Sequence, residues 1–291
     1  MKEDDPSDTH DLRTVLQQAT RRLSEAGVET PRREARLLLA HALGTDLGGL
    51  LLRDWIENGA LARFDALLER RAKREPLSYL TGRAGFWSMT LDVSPATLIP
   101  RADTETLVEA LLELRPDRAD VGTILDLGTG TGCLLLAALQ EYPRAWGLGV
   151  DLSPGAARLA SGNARHVGLS GRCAIICGDW AQAVTGRFDV VFSNPPYIAH
   201  ADLSGLMPDV RDHEPHRALD GGDDGLACYR ILMQSLPHLL QPGGLGIVEL
   251  GIGQDRSVPA LARDAGMDVM AIRHDLGGVA RALVVRRAGE A

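Results

Sequence analysis

A doubly wound α/β domain with a mostly parallel sheet, preceded by a small helical bundle, is the fold class that this 291-residue sequence predicts. Three observations carry it. From residue 121 onward, short apolar runs of strand length alternate with helical periodicities. The first of those runs feeds directly into a turn with three glycines, Gly128 to Gly132, and then into an apolar helix. Ahead of residue 76, apolar residues recur at helical spacing.

The bundle is read helix by helix. Leu12, Val15, Leu16, Ala19, Leu23 and Ala26 lie on one face of a helix over 11–26, which Gly27 stops. Thr30-Pro31 supplies a cap and a first-turn proline for a second helix, and Gly44 closes it. A third helical stretch is expected around Asp54 and a fourth from Ala60 to Arg74, ended by Glu75-Pro76. Residues 82–99 change character: Gly82, Gly85, the run FWSMTLDV and Ser94-Pro95 predict a short hairpin that links two domains. Pro100 and Asp103 then precede a helix with Leu107, Val108, Leu111 and Leu112 on its apolar face. Strands are predicted at 123–127, 146–150, 173–177, 188–192, 245–250, 267–272 and 282–286. The predicted division is a helical domain over 1–80, a hairpin linker over 81–99 and the sheet domain over 100–291.

Composition narrows the function. The net charge is −8, and residues 1–85 carry 14 Lys and Arg against 14 Asp and Glu, so the whole excess of acid lies after them. A chain that grips a nucleic-acid backbone usually presents a basic face, so nucleic acid is not the expected partner; an acidic half suits a basic protein. The segment MKEDDPSDTH is polar, without the apolar core of a leader, and the apolar runs at 37–43 and 133–139 are far too short to span a bilayer. Cys133, Cys173, Cys177 and Cys228 show no CxxC spacing, so inert thiols, no metal and a cytoplasmic location are expected.

The stretch TILDLGTGTGCLLLAAL reads strand, turn, helix. Gly128, Gly130 and Gly132, with Thr129 and Thr131 between them, let the backbone turn tightly and approach a ligand at a helix N-terminus. A dinucleotide fingerprint needs glycine at position 133, where this chain has Cys133. Asp151 ends the next strand, 23 residues after Gly128, where a carboxylate can accept from both hydroxyls of a ribose. The pattern D-x-G-x-G-x-G over Asp126 to Gly132 resembles the S-adenosylmethionine loop of class I methyltransferases, a Rossmann-like fold with a seven-stranded, mostly parallel sheet. That resemblance implies S-adenosylmethionine as cofactor, S-adenosylhomocysteine as product, and an adenine flanked by Asp179 and Trp180.

The next signal is the end of the fourth strand, FDVVFSNPPYI. An apolar run built for the middle of a sheet stops at Asn194, Pro195, Pro196 and Tyr197. Two prolines fix φ and remove competing N–H donors, leaving carbonyls to accept. Asn194 Oδ1 and the carbonyl of Pro195 can then accept both hydrogens of a planar NH2 group. An amide or exocyclic amine is a poor nucleophile because its lone pair is spread into a π system. Holding its two hydrogens aims the lone pair at a sulphonium methyl and stabilises the positive charge that develops. Tyr197 can stack on the acceptor plane, and Asn194, beside the cofactor crevice, is also expected among the cofactor contacts. Adenine amines and glutamine amides both fit this geometry.

Further stretches narrow that choice. EPLSYLTGRAGFW (75–87), LIPRADTETLV (98–108), DLGTGTG (126–132), SNPPYI (193–198), EPHRALDGGDDGL (214–226) and ELGIGQ (249–254) together resemble the release-factor glutamine methyltransferases. The resemblance implies methylation of the side-chain amide in the GGQ loop of class I peptide chain release factors, by an enzyme expected to act as a monomer. The family's usual PRPDTE has Ala102 for its inner proline here, while Arg101, a candidate for substrate binding, and Asp103 remain. A sister family acts on a glutamine of a large-subunit ribosomal protein, and adenine-specific methyltransferases share the Asn-Pro-Pro-Tyr segment; both stand as alternatives. His213-x-x-His216 has Pro215 between its histidines, which denies them helical ligand geometry, and methyl transfer from a sulphonium needs no metal.

Overall fold

The computed structural model describes residues 9–289; residues 1–8 of the polar segment read above lie outside the described residues. The chain divides into two compact units, one reaching up to Gly82 and including Met207–His213, the other formed by Arg83–Leu206 and Glu214–Ala291.

In the first unit, strand β1 (Thr9–Asp11) leads into helix α1 (Leu12–Glu25), followed by α2 (Pro31–Leu43), α3 (Leu47–Leu50), β2 (Trp55–Glu57), α4 (Asn58–Ala72) and α5 (Leu77–Thr81). Pro31 opens α2 and Gly44 ends it at φ 64°, as read, but Thr30 makes no side-chain capping hydrogen bond; the cap on α1 is Asp11, which accepts from the Thr14 N–H. Leu23, Leu38, Leu39 and Phe64 close the core with none of their surface exposed. The expected third helix around Asp54 is a correction. The helix covers only Leu47–Leu50, and the chain from Trp55 is extended, pairing antiparallel with Thr9–Asp11. Gly48 and Gly49 give that helix little to grow on. The run Trp55-Ile56-Glu57 instead follows a two-residue period, with only Ile56 buried in the bundle core.

The segment Met207–His213, with its short helix α9 (Pro208–Arg211), is also part of this unit. Asp209 meets Arg74 Nε and, at 2.9 Å, Arg71 Nη2, while Arg71 Nε donates to Glu34 Oε2 at 2.5 Å. Arg71 is 4 % exposed, so its charge is held almost wholly by these carboxylates.

The second unit opens with a hairpin of β3 (Arg83–Phe86) and β4 (Met89–Asp92). It is a packed element: Phe86, Met89 and Leu91 are buried in the same cluster as helix α6 (Glu105–Leu114). Then come β5 (Thr123–Leu127), α7 (Cys133–Glu141), β6 (Trp146–Asp151), α8 (Pro154–His166), β7 (Cys173–Cys177), β8 (Phe188–Ser193), α10 (Ala227–Leu239), β9 (Leu240–Glu249), α11 (Ser257–Asp264), β10 (Met267–His274) and β11 (Ala280–Arg287). The sheet order is β10-β11-β9-β8-β5-β6-β7, with β11 antiparallel to both neighbours and the other pairs parallel. All seven predicted strands are present. Alternate residues feed two cores: Ile124, Val190, Phe192 and Ile247 pack with α6 and α7, while Leu125, Val191, Val248 and Leu283 pack with α10 and α11. Apolar side chains on both faces are what a strand needs when helices cover both.

Candidate active site

The strand order reverses beside β5, which has β6 on one side and β8 on the other, and crevices at such switch points hold ligands at the carboxyl ends of the strands. One cavity opens there. Its wall includes Gly128 to Thr131 after β5, Asp151 at the end of β6, Asp179 and Trp180 after β7, and Asn194 and Pro196 after β8, with Arg101 and Arg217 at its side. The structure therefore gathers most of the predicted residues around one space. Gly132, Pro195 and Tyr197 do not line it.

The loop folds as its glycines require. Gly128, Gly130 and Gly132 take φ of 76°, 55° and 84°. Gly132 sits behind the cavity wall at the start of α7, where a Cβ would lie 3.2 Å from Leu136 Cδ1 and 3.4 Å from the Ala160 methyl. Its task is packing as well as conformation. Asp151 Oδ2 accepts from Gly130 N and Oδ1 from Ser153 N, both at 2.8 Å, so the carboxylate is locked in position with lone pairs to spare. Ser153 caps α8 and also accepts from Arg217 Nη2 at 2.8 Å. Trp180 holds φ at 47°, a left-handed conformation three residues beyond the end of β7.

Asp126 is the most unusual acid of the loop. It is 1 % exposed; Oδ2 accepts from the Thr129 hydroxyl at 2.6 Å, and Oδ1 is buried without a hydrogen-bond partner. Burial pushes its pKa up to about 7. A buried acceptor at the wall of a cavity is a place for a cationic or N–H-bearing group of a ligand. Burial likewise holds the Cys133 thiol up to about 12, so this wall residue stays protonated and inert.

A second layer lies behind Asn194, and sequence reading missed it. Asn194 Nδ2 donates to Thr104 Oγ1 at 3.3 Å, and Thr104 Oγ1 donates to Glu249 Oε2 at 2.6 Å. The Tyr197 hydroxyl donates to Glu249 Oε1 at 3.2 Å. Gln254 Nε2 donates to the Tyr197 carbonyl at 3.0 Å and Tyr229 to the Glu249 carbonyl at 2.8 Å, pinning the turn after β9. Tyr197 fits because Gly251 has no side chain: a Cβ there would stand 2.9 Å from Tyr197 Cδ2. Arg101 pairs with Glu214, whose other oxygen accepts from Ile99 N at 3.0 Å. Asp103 pairs with Arg281 at 3.0 Å. Glu214 is thus committed to Arg101 and Ile99, while the His213 ring lies 3.4 Å from the Lys73 carbonyl within the first unit.

A seven-stranded sheet of this order with a glycine loop after its first parallel strand defines the class: the chain is a methyltransferase of class I fold. Residues 102–207 match the family described as Methyltransferase small domain, and residues 14–82 match PrmC N-terminal domain. A methyltransferase structure from Pyrococcus furiosus shares the fold with a TM-score of 0.52 at 16% identity, covering 76% of this chain and 98% of that one. The particular family follows from full-length relatives. A release factor glutamine methyltransferase of Rhodospirillum rubrum is 48% identical over 95% of this chain and 85% of its own length. One from Cereibacter sphaeroides is 41% identical over 94% and 97%, and one from Bradyrhizobium diazoefficiens 40% identical over 97% of both. The chain belongs to the release factor glutamine methyltransferase family.

Asp126 gives a prediction with a definite sign. Its folded pKa lies above the ordinary carboxylate value. Its contribution to stability is therefore fully present below that ordinary value and is lost as pH rises through about 7. Asp126→Asn should stabilise the ligand-free protein at pH 8 by about 1–3 kcal/mol, the scale of one buried group left unsatisfied, and by much less at pH 5. The same variant should bind a cationic ligand of the cavity more weakly. Thermal melts at both pH values, with calorimetric titration of S-adenosylmethionine, check it. A variant no more stable at pH 8 than the parent would show that the ionised carboxylate is not strained there.

Proposed function

We propose that this chain transfers the methyl group of S-adenosylmethionine to the side-chain amide nitrogen of the glutamine in the GGQ loop of class I peptide chain release factors. The observation that carries the reading is Asn194 at the carboxyl end of β8, on the cavity wall, with its amide N–H committed to Thr104 and its oxygen left for an incoming N–H.

The cavity fits the cofactor. Asp151 is held to accept from the ribose hydroxyls, Trp180 with Asp179 offers a wall for the adenine, and the backbone of Gly128 to Thr131 lines the space where the methionyl chain would lie. The orphaned Asp126 Oδ1 suits its ammonium group. When bound, the cofactor supplies an electrophilic methyl on a sulphonium sulphur. What remains is the work of this chain. Asn194 Oδ1 and the Pro195 carbonyl accept the two hydrogens of the glutamine amide, which turns its lone pair toward the methyl and favours the charge that builds on nitrogen. Tyr197, tethered through its hydroxyl to Glu249, positions the loop and offers its ring to the amide plane. Arg101, fixed by Glu214, stands at the side of the cavity as a contact for the substrate loop.

One glutamine offers few contacts, so selectivity has to come from surface remote from the reacting amide. The helical unit is proposed to supply it, with the enzyme acting as a cytoplasmic monomer. No helix among the described residues is long and apolar enough to cross a membrane.

The test is a peptide map of intact release factor after incubation with the protein and S-adenosylmethionine. One methyl on the side-chain nitrogen of the GGQ glutamine is expected. An unmodified release factor beside a methylated ribosomal protein, or beside methylated adenine, would reassign the substrate and leave the cofactor site as described.

A further inference from the structure

Asn194 can serve an amide only one way round. If Oδ1 faces the acceptor, it takes an N–H; if the NH2 end faces it, two donors collide and no bond forms. A side-chain amide can rotate, so something must decide between the two orientations.

The decision is made at the cavity wall, which Thr104 lines, and at Glu249 behind it. Thr104 has a single hydroxyl hydrogen, and that hydrogen is spent on Glu249 Oε2 at 2.6 Å. Its oxygen can then only accept, and it accepts from Asn194 Nδ2 at 3.3 Å. Glu249 is 1 % exposed and does not line the cavity. Its other oxygen accepts from the Tyr197 hydroxyl at 3.2 Å. Each side-chain donor therefore points toward the carboxylate, and the polarity of the chain Asn194 to Thr104 to Glu249 is set at its buried end. We propose that Glu249 is a positioning residue: through the Thr104 hydroxyl, its ionised carboxylate fixes which end of the Asn194 amide faces the acceptor nitrogen. The inference rests on the reading of Asn194 given under the proposed function.

The surroundings make this a poised arrangement. Burial raises the Glu249 pKa to about 7, against the hydrogen bond from Thr104, the positive charge of Arg281 on β11 and the Tyr197 hydroxyl. Asp103, on the same turn as Thr104, adds to the rise. Arg281 is itself shared with Asp103 and Asp275, each at 3.0 Å. The remaining titratable neighbours are Tyr229, which bonds the Glu249 backbone, and Cys133 at the start of α7; burial holds both of them neutral. Once protonated, Glu249 carries a hydrogen of its own. Donated to Thr104, it would reverse the polarity of the chain and favour the wrong end of Asn194.

The experiment is single-turnover methylation of release factor by the full chain, with S-adenosylmethionine and release factor both saturating, between pH 5.5 and 9. The parent rate should rise with pH through about 7, following the ionisation of Glu249. Glu249→Gln, which removes the ionisable carboxylate and can turn either end of its amide to Thr104, should be slower by roughly 10–100-fold at pH 8, the scale of a misplaced reacting group, and should lose the pH limb. Its affinity for S-adenosylmethionine should be unchanged. Thr104→Val should behave alike, while Thr104→Ser, which keeps the hydroxyl, should restore both rate and limb. Saturation separates this limb from Asp126, whose ionisation acts on cofactor binding.

Glu249→Gln with parental rate and an intact limb would overturn the proposal. So would a slow Glu249→Gln beside an unaffected Thr104→Val, since Glu249 would then act by another route. If Glu249→Gln does not fold, the two Thr104 variants decide. Absence of any methylated glutamine with the parent would count against the proposed substrate instead. The Asn194 side-chain NH2 signals in nitrogen-15 spectra would then decide on the relay, by titrating near pH 7 in the parent or failing to do so.

Discussion

Asn194→Ala should fold like the parent, bind S-adenosylmethionine with little change, and lose methyl transfer by roughly 10²–10³ in a single turnover, the cost of one preorganised polar contact to a developing charge. The expectation follows from position. Asn194 is partly exposed, at the end of β8, so truncation opens no apolar void; the core strand that delivers it ends at Ser193, whose hydroxyl is tied to the Leu127 carbonyl at 2.8 Å. What the substitution removes is the acceptor for one amide N–H and, with it, part of the force that aims the nitrogen lone pair. Asn194→Asp is the informative companion. It keeps an acceptor but loses the N–H given to Thr104, and it sets a second carboxylate on the buried relay to Glu249. That variant should also be slow. A rate within tenfold of the parent for Asn194→Ala would reduce Asn194 to a strand cap, and the reaction would need another amide acceptor.

The chemistry just described was legible in the chain because it is local. Gly128 to Gly132 and Asn194 to Tyr197 announce themselves by spacing, and the apolar runs of β5 and β8 say where in a sheet they lie. The relay was not legible for the opposite reason. Thr104 and Glu249 stand 145 residues apart, and they meet only because β9 lies beside β8 and α6 packs over the sheet. ELGIGQ and RADTET carry part of the family resemblance, yet nothing in one strand of sequence tells a solvated glutamate from a buried one. The short pairing of Thr9–Asp11 with Trp55–Glu57 escaped for a third reason: three residues carry too few alternations to separate a strand from a loop. Asp126 shows a subtler gap. It was visible as the first letter of the loop motif, while its burial, which the Thr129 hydroxyl only partly offsets, shows only in the fold.

The largest expected effect on stability lies in the helical unit, at Arg71. Its guanidinium is 4 % exposed and joins Glu34 on α2 to Asp209 on α9, while its own backbone belongs to α4. Arg71→Ala would leave two mostly buried carboxylates without their shared cation and a cavity where its stem packs, a loss of about 3–5 kcal/mol for breaking a buried charge network from one side. Arg74 still holds Asp209, which places the expectation at the lower end of that range. Hydrogen exchange should show the loss as faster opening of the helical unit, with the sheet strands β5 and β8 unchanged. Replacing charge by shape gives the control: Arg71→Met with Glu34→Leu should regain most of the stability, because well-packed apolar groups can stand in for a buried pair. The same pair of variants also tests recognition. If the helical unit supplies the remote contacts to release factor, Arg71→Ala should raise KM for that protein severalfold while leaving S-adenosylmethionine affinity intact, and the Met/Leu pair should recover it. An unchanged KM in a variant whose helical unit is demonstrably loosened would place recognition on the sheet domain itself. Equal loss of cofactor affinity would mean that the bundle serves the fold of the whole chain rather than the choice of substrate.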